Sequence, residues 1–323
     1  MRPAKIAAAL LLCATVARAD DTVDARTELA AGIATLKAHH MNTARLDWPA
    51  VEAQAQTMLG GKTAATDAYP AIRFVIAQLG EKHTFLINAD NAKAMKADKP
   101  VGNARPPDIL TPEGYPLTNN IGLIALKRHE GSSADNLAYA TAGRAAMAAF
   151  AHDHACRYIV DLRGNSGGDM YPMIASVQAL LGPEPYGYWQ GPQGQERAWR
   201  LADANDIGEA SADAYQRDLQ GAAPVAVLID RDTASAGEFT AIAFEGRPRT
   251  RVFGEPSGGY LTANQPFTLP DGAMIALSIG WSTDRTHHGY RDTLVPDEAA
   301  PRGQATLDAA IAWLKKQPCR GAP

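Results

Sequence analysis

The chain has 323 residues, of which 46% are hydrophobic and 20% are charged, and its formal net charge is −4. A chain of this length buries enough apolar surface for one large domain or two smaller ones. Its slightly acidic balance, without any run of Lys or Arg, argues against a nucleic-acid-binding protein.

Residues 1–19 have the pattern of a secretory signal peptide. Arg2 and Lys5 supply positive charge, the apolar stretch 6–16 is too short to span a bilayer, and 17–19 is a small-x-small cleavage site. A buried N-terminal helix is the alternative, but the order of these three features favours the signal peptide. Because no later stretch is apolar enough to cross a membrane, we predict a periplasmic or secreted protein without a stable membrane span.

Cleavage of this segment removes Cys13 and leaves Cys156 and Cys319. In an oxidising compartment these two cysteines can form a disulfide, and two separate buried thiols are the alternative. The sequence leaves both possibilities open.

The rest of the chain divides into a helical part and an alternating part. Residues 25–80 carry apolar residues at helical spacing, and the polar, Pro-rich segment 88–118 has the composition of a connector. Strands and helices alternate afterwards, which favours an α/β fold. We predict an N-terminal helical lobe and connector over 20–100 and an α/β core over 101–323. The predicted core strands are 121–126, 157–162, 224–230, 250–254, 265–269 and 273–280, and the predicted core helices are 137–154, 170–181, 235–245 and 307–317.

A glycine-rich turn follows the second core strand. Its sequence RGNSGG ends in Gly167 and Gly168, directly before a helix. Glycines allow positive φ and bring backbone N–H groups together, so such a turn can hold an anion or a developing oxyanion. A tight turn that merely requires glycine is the alternative. A phosphate-binding loop is disfavoured because no GxxxxGK[ST] pattern is present.

A serine occupies a second strand-to-helix turn, in the sequence LIDRDTASAGE. Ser235 stands where the helix begins, and the N–H of Ala236 would point to the place where a tetrahedral oxygen forms. The alternative is that Ser235 serves only as a helix N-cap. A serine hydroxyl requires a base, and the eight histidines of the chain do not by themselves show which one supplies it.

The order and spacing of several motifs resemble the C-terminal-processing, or tail-specific, serine peptidases. The motifs are VDLRGNSGG, DRDTASAGE, FGEPSGG and LVPD, within residues 70–300. The nisin-resistance-protein-like branch is the most similar, on segments such as GGDMYPM and STDRTHHGY. The resemblance implies a crotonase/ClpP-like mixed α/β core, with Ser235 as nucleophile and with Ala236, Gly167 and Gly168 around the oxyanion.

The resemblance also selects the base, through a departure from the pattern. Many family members have a catalytic lysine where Tyr260 stands here, and this chain has no lysine between Lys127 and Lys315. Other branches use a histidine in a GxxHT-like stretch, which GEKHT matches, so the implied base is His83. Lys82 is disfavoured because we expect its side chain to point away from that of its neighbour.

The predicted function is therefore an exported serine peptidase that hydrolyses peptides or unfolded hydrophobic tails near their C-termini. We predict no cofactor, no metal and no nucleic-acid partner. Glu238 is a possible auxiliary group at the site, and Glu255 and Asp292 are weaker candidates to orient His83. The segment between His83 and the first core strand is too short for a PDZ module. The alternative is a catalytically silent protein that binds peptides or other ligands on the same scaffold.

Overall fold

The structure is a computed structural model and describes residues 23–97, 110–204, 207–208 and 223–319. The predicted signal peptide lies outside these residues. No helix within the described ranges is long and apolar enough to cross a membrane. The helices are α1 Ala25–His39, α2 Trp48–Leu59, α3 Tyr69–Gln78, α4 Ala89–Lys96, α5 Ser133–His152, α6 Met170–Ser176, α7 Gln178–Leu181, α8 Ala236–Ile242 and α9 Gln304–Lys315. The strands are β1 Phe85–Ile87, β2 Glu113–Leu117, β3 Ile121–Ala125, β4 Arg157–Asp161, β5 Gly187–Gln190, β6 Glu196–Ala198, β7 Val225–Ile229, β8 Thr250–Gly254, β9 Thr262–Thr268, β10 Met274–Asp284 and β11 Glu298–Ala299.

A six-stranded sheet forms the centre of the α/β core, in the order β11-β8-β7-β4-β3-β2. All its neighbours are parallel except β2, which runs antiparallel to β3. Strands β3 and β7 are buried at every residue, as their continuous apolar sequences require of strands covered on both faces. One face packs against α5, α6 and α8, and the other packs against α9. The mixed α/β fold class is therefore as predicted.

A second sheet joins the core to the N-terminal helices. It has five antiparallel strands, in which β10 pairs with β1, β5 and β9 and β5 pairs with β6. Residues of β10 such as Ile275 and Leu277 complete the apolar cluster of α1 and α3. The N-terminal helices thus pack directly on a sheet whose strands, except β1, come from the second half of the chain. The segment before β1 contacts the start of β9, where His83 Nδ1 lies 2.9 Å from Thr262 Oγ1.

The segment 88–118, predicted as a connector, contains a helix and a strand that the sequence analysis did not predict. Asn88 caps α4, because its side chain accepts a hydrogen bond from the N–H of Asn91 at 2.8 Å. Strand β2 pairs with β3 at the edge of the six-stranded sheet and is mostly exposed, which explains its polar sequence and its Pro116. The strands β5 and β6 were also not predicted, since their short sequences resemble the surrounding loops.

Cys156 and Cys319 form a disulfide, with their Cα atoms 5.4 Å apart. Cys156 lies directly before β4, and Cys319 follows α9. Arg157 adds to the attachment by donating two hydrogen bonds to the carbonyl of Gln317, at 3.0 and 2.8 Å. The covalent link therefore holds the C-terminal helix against the central sheet.

We expect the Cys156→Ser variant to unfold at a lower temperature than the wild type. The disulfide joins residues 163 positions apart, and loss of such a link removes roughly 2–4 kcal/mol from the free energy of unfolding. Thermal unfolding should show the same drop for Cys319→Ser and for the double variant, and dithiothreitol should affect only the wild type. A wild type insensitive to dithiothreitol would contradict the disulfide.

Candidate functional site

Ser235 lies between β7 and α8 in a strained backbone conformation. Its φ is 52° and its ψ is −119°, values that residues other than glycine rarely adopt. Such strain costs on the order of 1–3 kcal/mol and is typical of functional sites, including the strand-to-helix turns that present a nucleophilic serine. This conformation also differs from the extended one that an N-cap residue normally adopts. The structure therefore disfavours the interpretation of Ser235 as an ordinary N-cap.

Asp230 connects the serine turn to the glycine turn. It is buried, and its Oδ1 accepts hydrogen bonds from the N–H groups of Gly164 at 3.0 Å and of Thr233 at 3.1 Å. The Ala234 N–H donates to the carbonyl of Asn165 at 2.9 Å. These bonds fix the two predicted turns side by side at the carboxyl ends of β4 and β7.

The glycine turn lies directly against the serine. A methyl group added at Gly167, whose φ is 104°, would lie 2.8 Å from Ser235 Cβ and 3.3 Å from the nitrogen of Ala236. At Gly168, where φ is 114°, an added methyl group would lie 1.8 Å from the carbonyl oxygen of His129. Both positions therefore require glycine, for contact as well as for backbone conformation.

The predicted set of oxyanion donors needs one correction. The N–H of Gly167 donates to Asn165 Oδ1 at 3.0 Å, so this amide is already engaged. The N–H groups of Gly168 and Ala236 make no hydrogen bond within the part of the chain that the structure describes. These two amides are therefore the ones available to an oxyanion. Asn165, which the sequence analysis did not single out, holds the turn in place through the side-chain oxygen that binds Gly167.

Glu238 lies beneath the serine turn and is fully buried. Its Oε2 accepts hydrogen bonds from the N–H groups of Ser235 and Tyr260, each at 2.7 Å, and its Oε1 accepts from Gly259 N–H at 2.7 Å and from the hydroxyl of Ser257. Burial raises the pKa of this carboxyl, although the four hydrogen bonds act in the opposite direction. Glu238 therefore joins the serine turn to the 257–260 loop.

His83 lies in a buried position after α3, directly before β1. Its Nδ1 is 2.9 Å from Thr262 Oγ1, and its ring meets the ring of Tyr260 edge to face at 5.4 Å between centroids. Burial lowers the pKa of His83 to about 4, because the Glu81 charge and the contact with Thr262 compensate only in part and Lys82 adds to the lowering. The imidazole is therefore neutral near pH 7, which is the form that accepts a proton.

Lys82 and His83 approach the same aromatic ring. The Nζ of Lys82 lies 4.8 Å from the centroid of the Tyr260 ring, which His83 also contacts, and it donates a hydrogen bond to the carbonyl of Gly258. The side chain of Lys82 is exposed at the surface of the 257–260 loop.

The weaker carboxylate candidates do not contact His83. Glu255 forms an ion pair with Arg231 at 3.3 Å, and Asp292 is exposed. Among the described residues, no cluster of His, Cys, Asp or Glu could hold a metal ion. Thr262 contacts the imidazole directly instead, and only its position two residues after Tyr260 could have indicated this.

The predicted site residues are therefore connected through shared neighbours. His83 contacts Tyr260, the N–H of Tyr260 and the N–H of Ser235 donate to the same oxygen of Glu238, and Gly167 is packed on Ser235. His83, Gly167, Ser235 and Glu238 come from three separate segments of the chain. A hydroxyl, a neutral imidazole and two free amides are the kinds of group that acyl transfer requires.

The sequence model of peptidase family S41 matches residues 120–298, which is more than half of the chain. The chain belongs to peptidase family S41. The matched range contains Ser235, both glycine positions and Glu238, whereas His83 lies before it. The predicted family and the prediction of a serine-type peptidase agree with this membership.

Two curated relatives show the extent of the similarity. The nisin-resistance protein of Lactococcus lactis subsp. lactis is 34% identical over 162 residues, which cover 49% of this chain and 50% of that protein. A carboxyl-terminal-processing protease of a Picosynechococcus species is 30% identical over 147 residues, which cover 45% of this chain and 32% of that protein. The matches thus span half or less of the length of these relatives.

Solved structures share the fold over most of the chain. A lipoprotein from Streptococcus agalactiae superposes with a TM-score of 0.74 at 20% identity, covering 90% of this chain and 96% of that one. The photosystem II D1 C-terminal processing protease superposes with a TM-score of 0.61 at 13% identity, covering 90% of this chain and 97% of that one. At these identities the likeness concerns the fold, including the N-terminal helical part.

Proposed function

We propose that this protein is a serine peptidase in which Ser235 is the nucleophile and His83 is the general base. The observation that carries the proposal is the strained backbone of Ser235, with φ at 52°, directly beside two N–H groups without a hydrogen-bond partner among the described residues. The buried, neutral imidazole on the neighbouring loop supports it. Membership in a peptidase family raises the expectation of peptide hydrolysis in particular.

The mechanism follows from these groups. His83 Nε2 accepts the hydroxyl proton of Ser235 as the Ser235 oxygen attacks the peptide carbonyl. The N–H groups of Gly168 and Ala236 stabilise the negative charge that develops on the carbonyl oxygen. The proton on Nε2 then passes to the leaving amine, and water hydrolyses the acyl-enzyme with His83 again as base. No cofactor participates in this scheme.

The substrate in this proposal is a peptide or an unfolded protein tail, cut near its C-terminus. Support comes from the family, which includes carboxyl-terminal-processing proteases. We further propose that residues 1–19 direct export and that the mature protein acts in the periplasm or outside the cell. The support for export is the sequence pattern of charge, apolar run and cleavage site.

Digestion of an unstructured peptide library, read by mass spectrometry, tests the proposed function. The wild type should generate new termini, and their position relative to the original C-terminus reports the specificity. The Ser235→Ala variant should generate none above the level without enzyme. A wild type that leaves every peptide intact but retains peptides on a column would favour the catalytically silent binding protein instead.

We expect the pH profile of kcat/KM to fall on the acid side with a midpoint near pH 4. Protonated His83 cannot act as base, and burial lowers its pKa to about 4, with Glu81 and Lys82 as the charged groups that face it. Activity should therefore be retained as the pH falls through 6.5 and be lost only in more acidic solution. An acid limb with its midpoint at or above 6.5 would contradict a buried neutral base.

A further inference from the structure

A chain of buried hydroxyl groups links His83 to a carboxylate. Thr262 Oγ1 lies 2.9 Å from His83 Nδ1 and 2.8 Å from Ser278 Oγ, and Ser278 Oγ lies 3.2 Å from Glu81 Oε2. Thr262 and Ser278 are buried on the paired strands β9 and β10, and Glu81 lies two residues before His83. Three separate segments of the chain therefore meet behind the imidazole.

Glu81, the carboxylate at the end of this series of hydroxyl groups, is held in its charged form. Burial alone would raise the pKa of Glu81, but hydrogen bonds from His40, from Thr84 and from the N–H of His83 outweigh that effect and lower its pKa to about 2. The N–H of Asn42 donates to His40 Nδ1 at 2.9 Å, so Nδ1 carries no proton. His40 Nε2 is then the protonated nitrogen, and it donates to Glu81 Oε1 at 3.1 Å. Glu81 can thus only accept hydrogen bonds.

The acceptors at this end determine the direction of the hydroxyl protons. Ser278 Oγ has Glu81 Oε2 and Asn264 Oδ1 in reach, each at 3.2 Å, and both are acceptors. Ser278 donates its hydroxyl proton to one of these two acceptors. Thr262 must therefore supply its own proton, to Ser278 Oγ or to Asn264 Oδ1. Thr262 Oγ1 then has only its lone pairs for His83, and His83 Nδ1 must be the donor in that contact.

We propose that Thr262, Ser278 and Glu81 are positioning residues that hold His83 in the tautomer with the proton on Nδ1, and that stabilise the imidazolium formed during reaction. This inference rests on the proposed function, because it assigns the groups that orient the proposed base. The tautomer leaves the Nε2 lone pair free for the proton of Ser235. The Nδ1 proton stays on Nδ1 throughout, and the polarised hydroxyls connect the new positive charge to Glu81. Hydroxyl groups thereby take the place of a carboxylate in direct contact with the histidine.

Asn264 fixes the backbone of His83 next to the hydroxyl groups of Thr262 and Ser278. Its Nδ2 donates to the carbonyl of His83 at 2.5 Å, which orients its Oδ1 towards Ser278 and Thr262. The Oγ1 of Thr84 accepts from the N–H of Ser278 at 3.0 Å. These two hydrogen bonds attach His83 to β9 and Thr84 to β10.

The test compares Thr262→Val, which removes the hydroxyl at nearly constant shape, with Thr262→Ser, which keeps it. We expect Thr262→Val to lower kcat about 10²–10⁴-fold with little change in KM, since the wrong tautomer of a catalytic histidine has effects of this order. Thr262→Ser should restore kcat to within about tenfold of the wild type. Thr306→Val is the matched control: Thr306 is buried and hydrogen-bonded to the Pro301 carbonyl, at the start of α9. It should leave kcat unchanged.

A second measurement is independent of turnover. Nitrogen-15 NMR of the His83 ring in a Ser235→Ala background should show a proton on Nδ1 with Thr or Ser at position 262, and a mixture of tautomers with Val. Equal kcat for Thr262→Val and wild type, or a wild-type ring protonated on Nε2, would overturn the proposal. If the wild type cuts no peptide, the proposed function fails, while the NMR result still decides the role of Thr262.

Discussion

Ser235→Ala is expected to lower kcat/KM for a cleaved peptide by about 10⁴–10⁶-fold, because the variant keeps the amide donors but lacks the nucleophile. His83→Ala should produce a loss of similar size, measured with the same peptide. The two residues act on one proton transfer, so the double variant should be no less active than the worse single variant. The folded state should persist in all three, as seen by circular dichroism.

His152→Ala is the matched control for His83→Ala. The side chain of His152 is 90% exposed at the end of α5, and its contact is with the neighbouring Asp153. Its replacement should leave kcat/KM unchanged. Additive losses in the double variant, or near-normal activity of either single variant, would refute the assignment of Ser235 and His83 to one catalytic unit.

Glu238→Ala is expected to lower the free energy of unfolding by about 3–5 kcal/mol. The buried carboxylate accepts three backbone N–H groups and one hydroxyl, and its removal leaves those donors buried without an acceptor. The turn that holds Ser235 at positive φ loses its main restraint, so kcat should also fall about 10²-fold. Urea denaturation and steady-state kinetics measure the two effects.

Glu255→Ala serves as the comparison for this variant. Glu255 forms an ion pair with Arg231, whose side chain is 67% exposed, and such surface pairs contribute about 0–1 kcal/mol. Glu255→Ala should therefore change the free energy of unfolding and kcat only slightly. If Glu238→Ala were as stable and as active as Glu255→Ala, the carboxylate would not be the restraint on the serine turn that its hydrogen bonds indicate.

The local parts of the site were predictable from sequence because each depends on a short segment. A strand followed by RGNSGG and a strand followed by DRDTAS specify two turns at the same sheet edge, and Ser235 and Gly168 follow from them. His83 could be selected only through the family resemblance, since a short GEKHT segment carries no signal of its own.

The groups behind His83 were out of reach of sequence analysis for a physical reason. Thr262, Ser278 and Glu81 are ordinary residue types in three separate segments, and only the pairing of β9 with β10 and the packing of α3 bring them together. The side-chain oxygen of Asn165 engages the N–H of Gly167 two residues later, and the side-chain nitrogen of Asn165 donates to the carbonyl of Leu126 in a separate segment. This bond to a distant segment fixes the orientation of the Asn165 side chain, and no local pattern encodes it.

The most direct test of the central claim is to trap the acyl-enzyme and locate it by mass spectrometry. The protein is mixed with a cleaved peptide, quenched in acid within one turnover, and digested for mapping. We predict an acyl adduct on the peptide that contains Ser235, absent from Ser235→Ala and formed far more slowly by His83→Ala. Peptide cleavage with an adduct on another residue, or an unchanged rate of adduct formation in His83→Ala, would contradict it.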